Sequence, residues 1–215
     1  MRAKLFLSLL LLTGCCIPES AVVEDTHSEK AKLFFREDWQ QTPPGRLAEL
    51  EYVQNPRLIA TRRGPGCDGL NRSHHYNIPH DPWYIWSGPC EDRWALTLEK
   101  KGAVVDLSSI GRIRLRTKQS GPNVLKIVLG LDDRTWLVSN AGFGETPDWY
   151  VFSVEIGMLG WQRLNIDTIE AGEHIKEPDL HHVRSIGFTD LMKGRGSDAC
   201  TRLDWIEVYG KQIHP

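Results

Sequence analysis

The sequence predicts an all-β sandwich or barrel, and three observations carry that prediction. Eleven short segments rich in branched and aromatic residues recur along the chain, at 33–38, 57–61, 83–87, 93–98, 110–117, 124–131, 135–138, 148–156, 161–166, 185–188 and 202–209. Short strands at this spacing, separated by turn residues, belong to sandwiches and barrels. In Arg112-Ile113-Arg114-Leu115-Arg116 the apolar side chains fall two apart, which sends Ile113 and Leu115 to one face of a strand and three arginines to the other. Long helical periodicity is missing; 43–53, with Leu47, Leu50 and Val53 at helical spacing, reads as one short helix.

Taken in order, residues 1–14 come first, with Arg2 and Lys4 ahead of the run Leu5 to Leu12. This largely apolar run of eight residues is too short to span a bilayer, which takes about 20, so the stretch reads as a signal peptide. Its end, Leu12-Thr13-Gly14-Cys15, resembles the bacterial lipobox. That resemblance implies cleavage before Cys15, a lipid on its sulfur and a place in the bacterial cell envelope. The other reading is ordinary secretion with Cys15 and Cys16 as bystanders. Residues 15–32 are polar and read as a tether. The body, 33–215, shows no internal repeat and reads as one domain.

Within the body, Val124-Leu125-Lys126-Ile127-Val128-Leu129 is apolar almost throughout, as a central strand covered on both faces must be. Ser120-Gly121-Pro122-Asn123, Asp132-Asp133 and Ala141-Gly142-Phe143-Gly144 supply the turns between strands. The whole chain carries 26 Lys and Arg against 28 Asp and Glu, a net charge of −2. Without Arg2 and Lys4 the balance is 24 against 28, or −4. Nothing in it is basic enough for a nucleic-acid partner. Outside the signal region there are three cysteines, Cys67, Cys90 and Cys200. An exported chain meets oxidising conditions, and Cys90 with Cys200, each beside a strand, is the expected disulfide; three free thiols is the alternative.

From 105 to 209 the order of elements resembles the galactose-binding-like jelly rolls that serve as carbohydrate-binding modules. The residues that carry it are Asp106-Leu107-Ser108-Ser109-Ile110, Trp136, Trp149, Trp161-Gln162-Arg163-Leu164, Pro178-Asp179-Leu180 and the closing Leu203-Asp204-Trp205-Ile206-Glu207-Val208. The region from 55 to 101 departs from the pattern. The resemblance implies a jelly-roll β-sandwich, a carbohydrate partner and a structural calcium between the first and last strands. Glu37, Asp38 and Asp204 are the carboxylates that would supply hard oxygen ligands; strand-end pairing with Arg or Lys is the other reading of Asp38 and Asp204.

The segment richest in potential chemistry runs from Ser73 to Trp86. Sugars present C–H faces, which flat rings cover, and hydroxyls, which forked donors and carboxylates bind. Trp83, Tyr84, Trp86, Trp136 and Trp149 are candidate platforms; His74, His75, Arg116, Lys118, Gln119 and Asp190 are candidate polar contacts. Core packing is the competing role for every tryptophan. His74, His75 and His80 lack the i, i+4 spacing of a helical zinc site, and Pro79 and Pro82 argue against a helix there. No nucleophile elbow occurs. The jelly-roll resemblance, together with this aromatic and His-rich segment, implies carbohydrate binding at the cell envelope without catalysis. The alternative is an enzyme acting on glycosides: a lyase using His75, Tyr76 and Arg116, or a hydrolase using the carboxylates of Glu37 and Asp190.

Overall fold

The computed structural model describes residues 31–40, 53–193 and 199–214. The expected signal peptide, Cys15, nearly all of the expected tether and the expected helix apart from Val53 lie outside the described residues. Fourteen strands follow one another: β1 (Lys32–Glu37), β2 (Leu58–Arg63), β3 (Asn71–Ser73), β4 (Tyr84–Trp86), β5 (Ala95–Lys100), β6 (Val104–Asp106), β7 (Arg112–Ser120), β8 (Lys126–Leu131), β9 (Trp136–Ser139), β10 (Tyr150–Glu155), β11 (Trp161–Asn165), β12 (Glu170–Ile175), β13 (Val183–Thr189) and β14 (Cys200–Ile213). Among the described residues the remaining regular structure is two 3-10 turns, Cys67–Gly69 and Ile156–Met158.

All pairings are antiparallel, and they build two sheets. In the first, β10, β7 and β14 lie side by side; β1 and β4 share the other edge of β14, and β3 pairs with β4. In the second the order is β2-β5-β13-β8-β9-β11-β12. The long closing strand links them, because Lys211 to Ile213 at the end of β14 pair with β6, and β6 also touches β13. The fold is the all-β jelly-roll sandwich that the sequence predicts.

Alternation places the core. Ile113 and Leu115 of β7, with Leu203, Ile206 and Val208 of β14, meet Leu96, Leu98, Ile127, Leu129, Ile186 and Phe188 from the facing sheet. Removing these side chains from water is the dominant force on the two layers. Strand β8 is buried on both faces as expected: Ile127 and Leu129 enter the main core, and Val128 joins a second cluster with Val138, Leu164 and Ile169.

Three strands were not expected, for physical reasons. β3 and β6 are three residues long, too short for a period to register. β12 is almost wholly exposed, so burial imposes no alternation on it. Glycine governs the approach of one loop pair. A Cβ on Gly66 would sit 1.9 Å from the Asp92 carbonyl oxygen, and one on Gly69 2.5 Å from the Cys90 Cα, so 64–69 lies directly on 90–93.

That approach corrects the expected disulfide. Cys67, Cys90 and Cys200 are free thiols. Ser87 and Thr201 bond to each other, but the turn closed by the Cys90 N–H on the Ser87 carbonyl carries Cys90 away, against Gly69. The Cys200 sulfur faces the hydroxyl of its β7 neighbour Ser120 at 3.5 Å instead.

Candidate functional site

The outer face of the first sheet gathers most of the predicted groups. Because Ile113 and Leu115 point inward, Arg112, Arg114, Arg116 and Lys118 of β7 point out. Residues in direct register share a face. Trp205 therefore stands beside Arg116, Glu207 beside Arg114 and Tyr209 beside Arg112, with Arg36 of β1 next to Glu207.

These side chains lock one another. Glu207 accepts hydrogen bonds from Arg36 at 2.6 Å, Arg114 at 3.0 Å and the Tyr209 hydroxyl at 2.8 Å. Burial pushes its pKa up, but the bonds from Tyr209 and Arg36 and the positive charges of Arg36 and Arg114 outweigh it and hold the carboxyl below the usual range. The Arg36 guanidinium lies 4.6 Å from the Trp205 ring centroid and that of Arg114 5.7 Å, while Arg112 lies 4.6 Å from Tyr209. Guanidinium groups attracted to ring faces in this way are held in fixed orientations.

Toward β4 the same face continues. Arg116 donates to Asp204 at 2.6 Å and sits 5.4 Å from the ring of Trp149, which packs at 5.2 Å on Tyr84. Lys118 pairs with Asp148 at 3.5 Å. Trp86 lies on the sheet next to Arg202, which is next to Lys118 in turn. Beyond Tyr84, His75 bonds through its backbone N–H and its Nδ1 to Asp81, at 2.7 and 2.9 Å. Trp83 packs against both His74, stacked at 4.3 Å, and the guanidinium of buried Arg72 at 4.2 Å. It therefore organises the loop and offers little open ring face. Tyr76, 80% exposed, stands on its edge.

Three predicted contacts fall elsewhere. Gln119 follows the inward alternation of β7 and is buried, donating to Thr117. Asp190 is buried as an internal hub, accepting from Asn123 Nδ2 at 2.8 Å, Thr201 Oγ1 at 2.9 Å and the Met192 N–H at 3.0 Å. Desolvation raises its pKa against those bonds. Trp136 is on the outer face of the opposite sheet, in register with Gly130.

The calcium ligands are not assembled either. Glu37 is buried, and its oxygens take the backbone N–H groups of Trp39, Gln54 and Asn55 at 2.9 to 3.0 Å. Asp204 holds Arg116, and Asp38 lies 3.6 Å from Arg36, so strand-end pairing describes both. Among the described residues no three His, Cys, Asp or Glu side chains group to hold a metal ion. The hydrolase pair fails likewise, since Glu37 and Asp190 are buried in separate hydrogen-bond networks. For the lyase set, Tyr76 packs on His74 and Trp83 while Arg116 is committed to Asp204 and Trp149.

Sequence reasoning missed Trp205, Glu207, Tyr209 and Arg36. The first three lie two apart on the closing strand and alternate with Ile206 and Val208, so the period that set the arginines outward could have found them.

No protein-family model matches the chain, and no curated protein matches it. Solved structures similar to it include a family 11 carbohydrate-binding module from Clostridium thermocellum, in complex with a β-1,3-1,4-mixed-linked tetrasaccharide. It is 11% identical over 72% of this chain and 89% of that one, with a TM-score of 0.44. A carbohydrate esterase from a Shiga toxin-encoding bacteriophage is 12% identical over 84% of this chain and 99% of that one, TM-score 0.42. A family 29 carbohydrate-binding module is 13% identical over 72% and 94%, TM-score 0.37. Likeness of this degree carries nothing about ligand or reaction; the strand pairing alone establishes the sandwich.

Proposed function

We propose that the chain binds carbohydrate, without catalysis, on the outer face of the β10-β7-β14-β1 sheet, and that a lipid on Cys15 holds it in the bacterial cell envelope. One observation carries the binding reading: Trp205 lies beside the guanidinium groups of Arg36 and Arg114, and both are fixed by the single carboxylate of Glu207. A half-buried indole offers a pyranose a flat apolar surface. The guanidinium forks next to it point donors at ring hydroxyls without losing freedom on binding, since the ion pairs have already ordered them. Tyr209 with Arg112, and Trp149 with Arg116, repeat that unit along the sheet. A ladder of such units suits an extended glycan chain.

The test is calorimetric titration of the detergent-solubilised full chain with a glycan panel that includes mixed-linked β-glucan tetrasaccharide. Binding to at least one glycan is expected, weakened about tenfold or more by Trp205→Ala or Arg114→Ala, which corresponds to about 1.4 kcal/mol. Silence across the panel, or unchanged affinity in both variants, sinks the reading. For the anchor, Cys15→Ser should move the chain from the membrane to the soluble fraction.

A further inference from the structure

The sandwich has a second outer face, and Trp136 lies on it. In the row across that sheet Trp136 of β9 registers with Gly130 of β8, Gly130 with Ser185 of β13, and Ser185 with Glu99 of β5. A Cβ on Gly130 would meet the Trp136 ring at 2.7 Å, so the indole lies over the glycine's backbone. Arg63 reaches in from β2 and lies 4.8 Å from the ring centroid, which fixes the ring. Beside the indole is a hollow of about 340 Å³, with Trp136 along one side.

The groups around the hollow are unequal in how far they are already used. Glu99 accepts the Ser185 hydroxyl at 2.6 Å. Arg184 is bonded to Asp132, with its Nε at 2.7 Å. Arg134 lines the same hollow and makes no ion pair or side-chain hydrogen bond among the described residues. It also occupies a left-handed backbone position, φ 71°, in the tight turn between β8 and β9, closed by the Arg134 N–H on Leu131 and the Leu131 N–H on Thr135. Glycine or asparagine is the usual choice at such a position, and an arginine there carries a conformational cost. The neighbouring Asp133 makes no ion pair with it among the described residues; the Asp133 carboxylate accepts the Thr135 N–H.

We infer that this hollow is a second binding site, on the opposite face from the first, for a sugar unit that carries a carboxylate. The sugar ring lies against the edge of Trp136 that borders the hollow, its hydroxyls meet Glu99 and Arg184, and its carboxylate enters the free fork of Arg134 as a bidentate ion pair. A single uronic acid residue suits the volume. The inference does not depend on the Trp205 face, with which it shares no residue.

Tetragalacturonate and cellotetraose serve as acidic and neutral probes in calorimetric titrations of the detergent-solubilised full chain. Tetragalacturonate is expected to bind, cellotetraose to bind at least tenfold more weakly at this site, and Trp136→Ala to remove at least tenfold of the acidic probe's affinity. Arg134→Gly is the decisive variant. It should raise the thermal midpoint, because glycine relieves the left-handed φ, and yet lose tetragalacturonate binding. Trp205→Ala should leave that binding unchanged, so that failure of the first site and failure of this one are read separately. No binding of tetragalacturonate, or full affinity in both Trp136→Ala and Arg134→Gly, overturns the inference. Loss in Trp205→Ala together with full affinity in Trp136→Ala assigns the acidic probe to the other face and also overturns it.

Discussion

Replacing Asp190 separates a structural carboxylate from a ligand-binding one. Its oxygens hold Thr201, 1% exposed, Asn123, 6% exposed, and the Met192 N–H. Asp190→Ala leaves those three donors without their acceptor, at about 1–3 kcal/mol for each one that water cannot reach. Removing a desolvated carboxylate returns part of that cost, because burial already raises its pKa. A net loss of about 3–5 kcal/mol follows, a large share of the ~5–15 kcal/mol that a domain of this kind has. Asp190→Asn keeps the shape and one acceptor oxygen and should lose about 1–3 kcal/mol. Urea unfolding followed by intrinsic fluorescence measures both. In a folded Asp190→Asn protein, glycan affinity should match the parent. A variant of unchanged stability with lost glycan binding would refute the reasoning and return Asp190 to the binding surface.

Stability should depend on pH in opposite senses at two carboxylates. Burial raises the folded pKa of Asp190, so its contribution is complete below the ordinary carboxylate range and is lost as pH rises through the raised value. The penalty of Asp190→Asn should therefore be largest in acid and shrink toward neutrality. Glu207 is lowered on balance, its bonds from Tyr209 and Arg36 outweighing burial, so its contribution appears above the ordinary value and is lost as pH falls. The penalty of Glu207→Gln should grow as pH rises, and urea midpoints across the range check both signs. The buried Cys90 thiol is pushed up to about 12 by desolvation and the nearby negative charge of Asp190. It should resist alkylation at pH 8 in the native protein and react fully in denaturant, which peptide mass mapping reads; modification under native conditions would contradict its burial.

Much of the fold was legible because burial writes a period into a strand. β7 and β8 were placed from alternation and from continuous apolarity, each the direct consequence of one or two covered faces. The same period put the arginines outward, and it also held Trp205, Glu207 and Tyr209 on the closing strand. Exposed β12 and the three-residue β3 left no such trace. What only the tertiary structure decided is which faces those residues share. Trp136, Trp149 and Trp205 look alike in the chain, but sheet order sets Trp149 and Trp205 on one side of the sandwich and Trp136 on the other. Gln119 and Asp190 are polar in sequence, yet one follows its strand's inward parity and the other anchors buried donors. Composition and period report how a residue meets water; which distant residue lies next to it depends on strand pairing between segments far apart in the chain, and no local pattern records that.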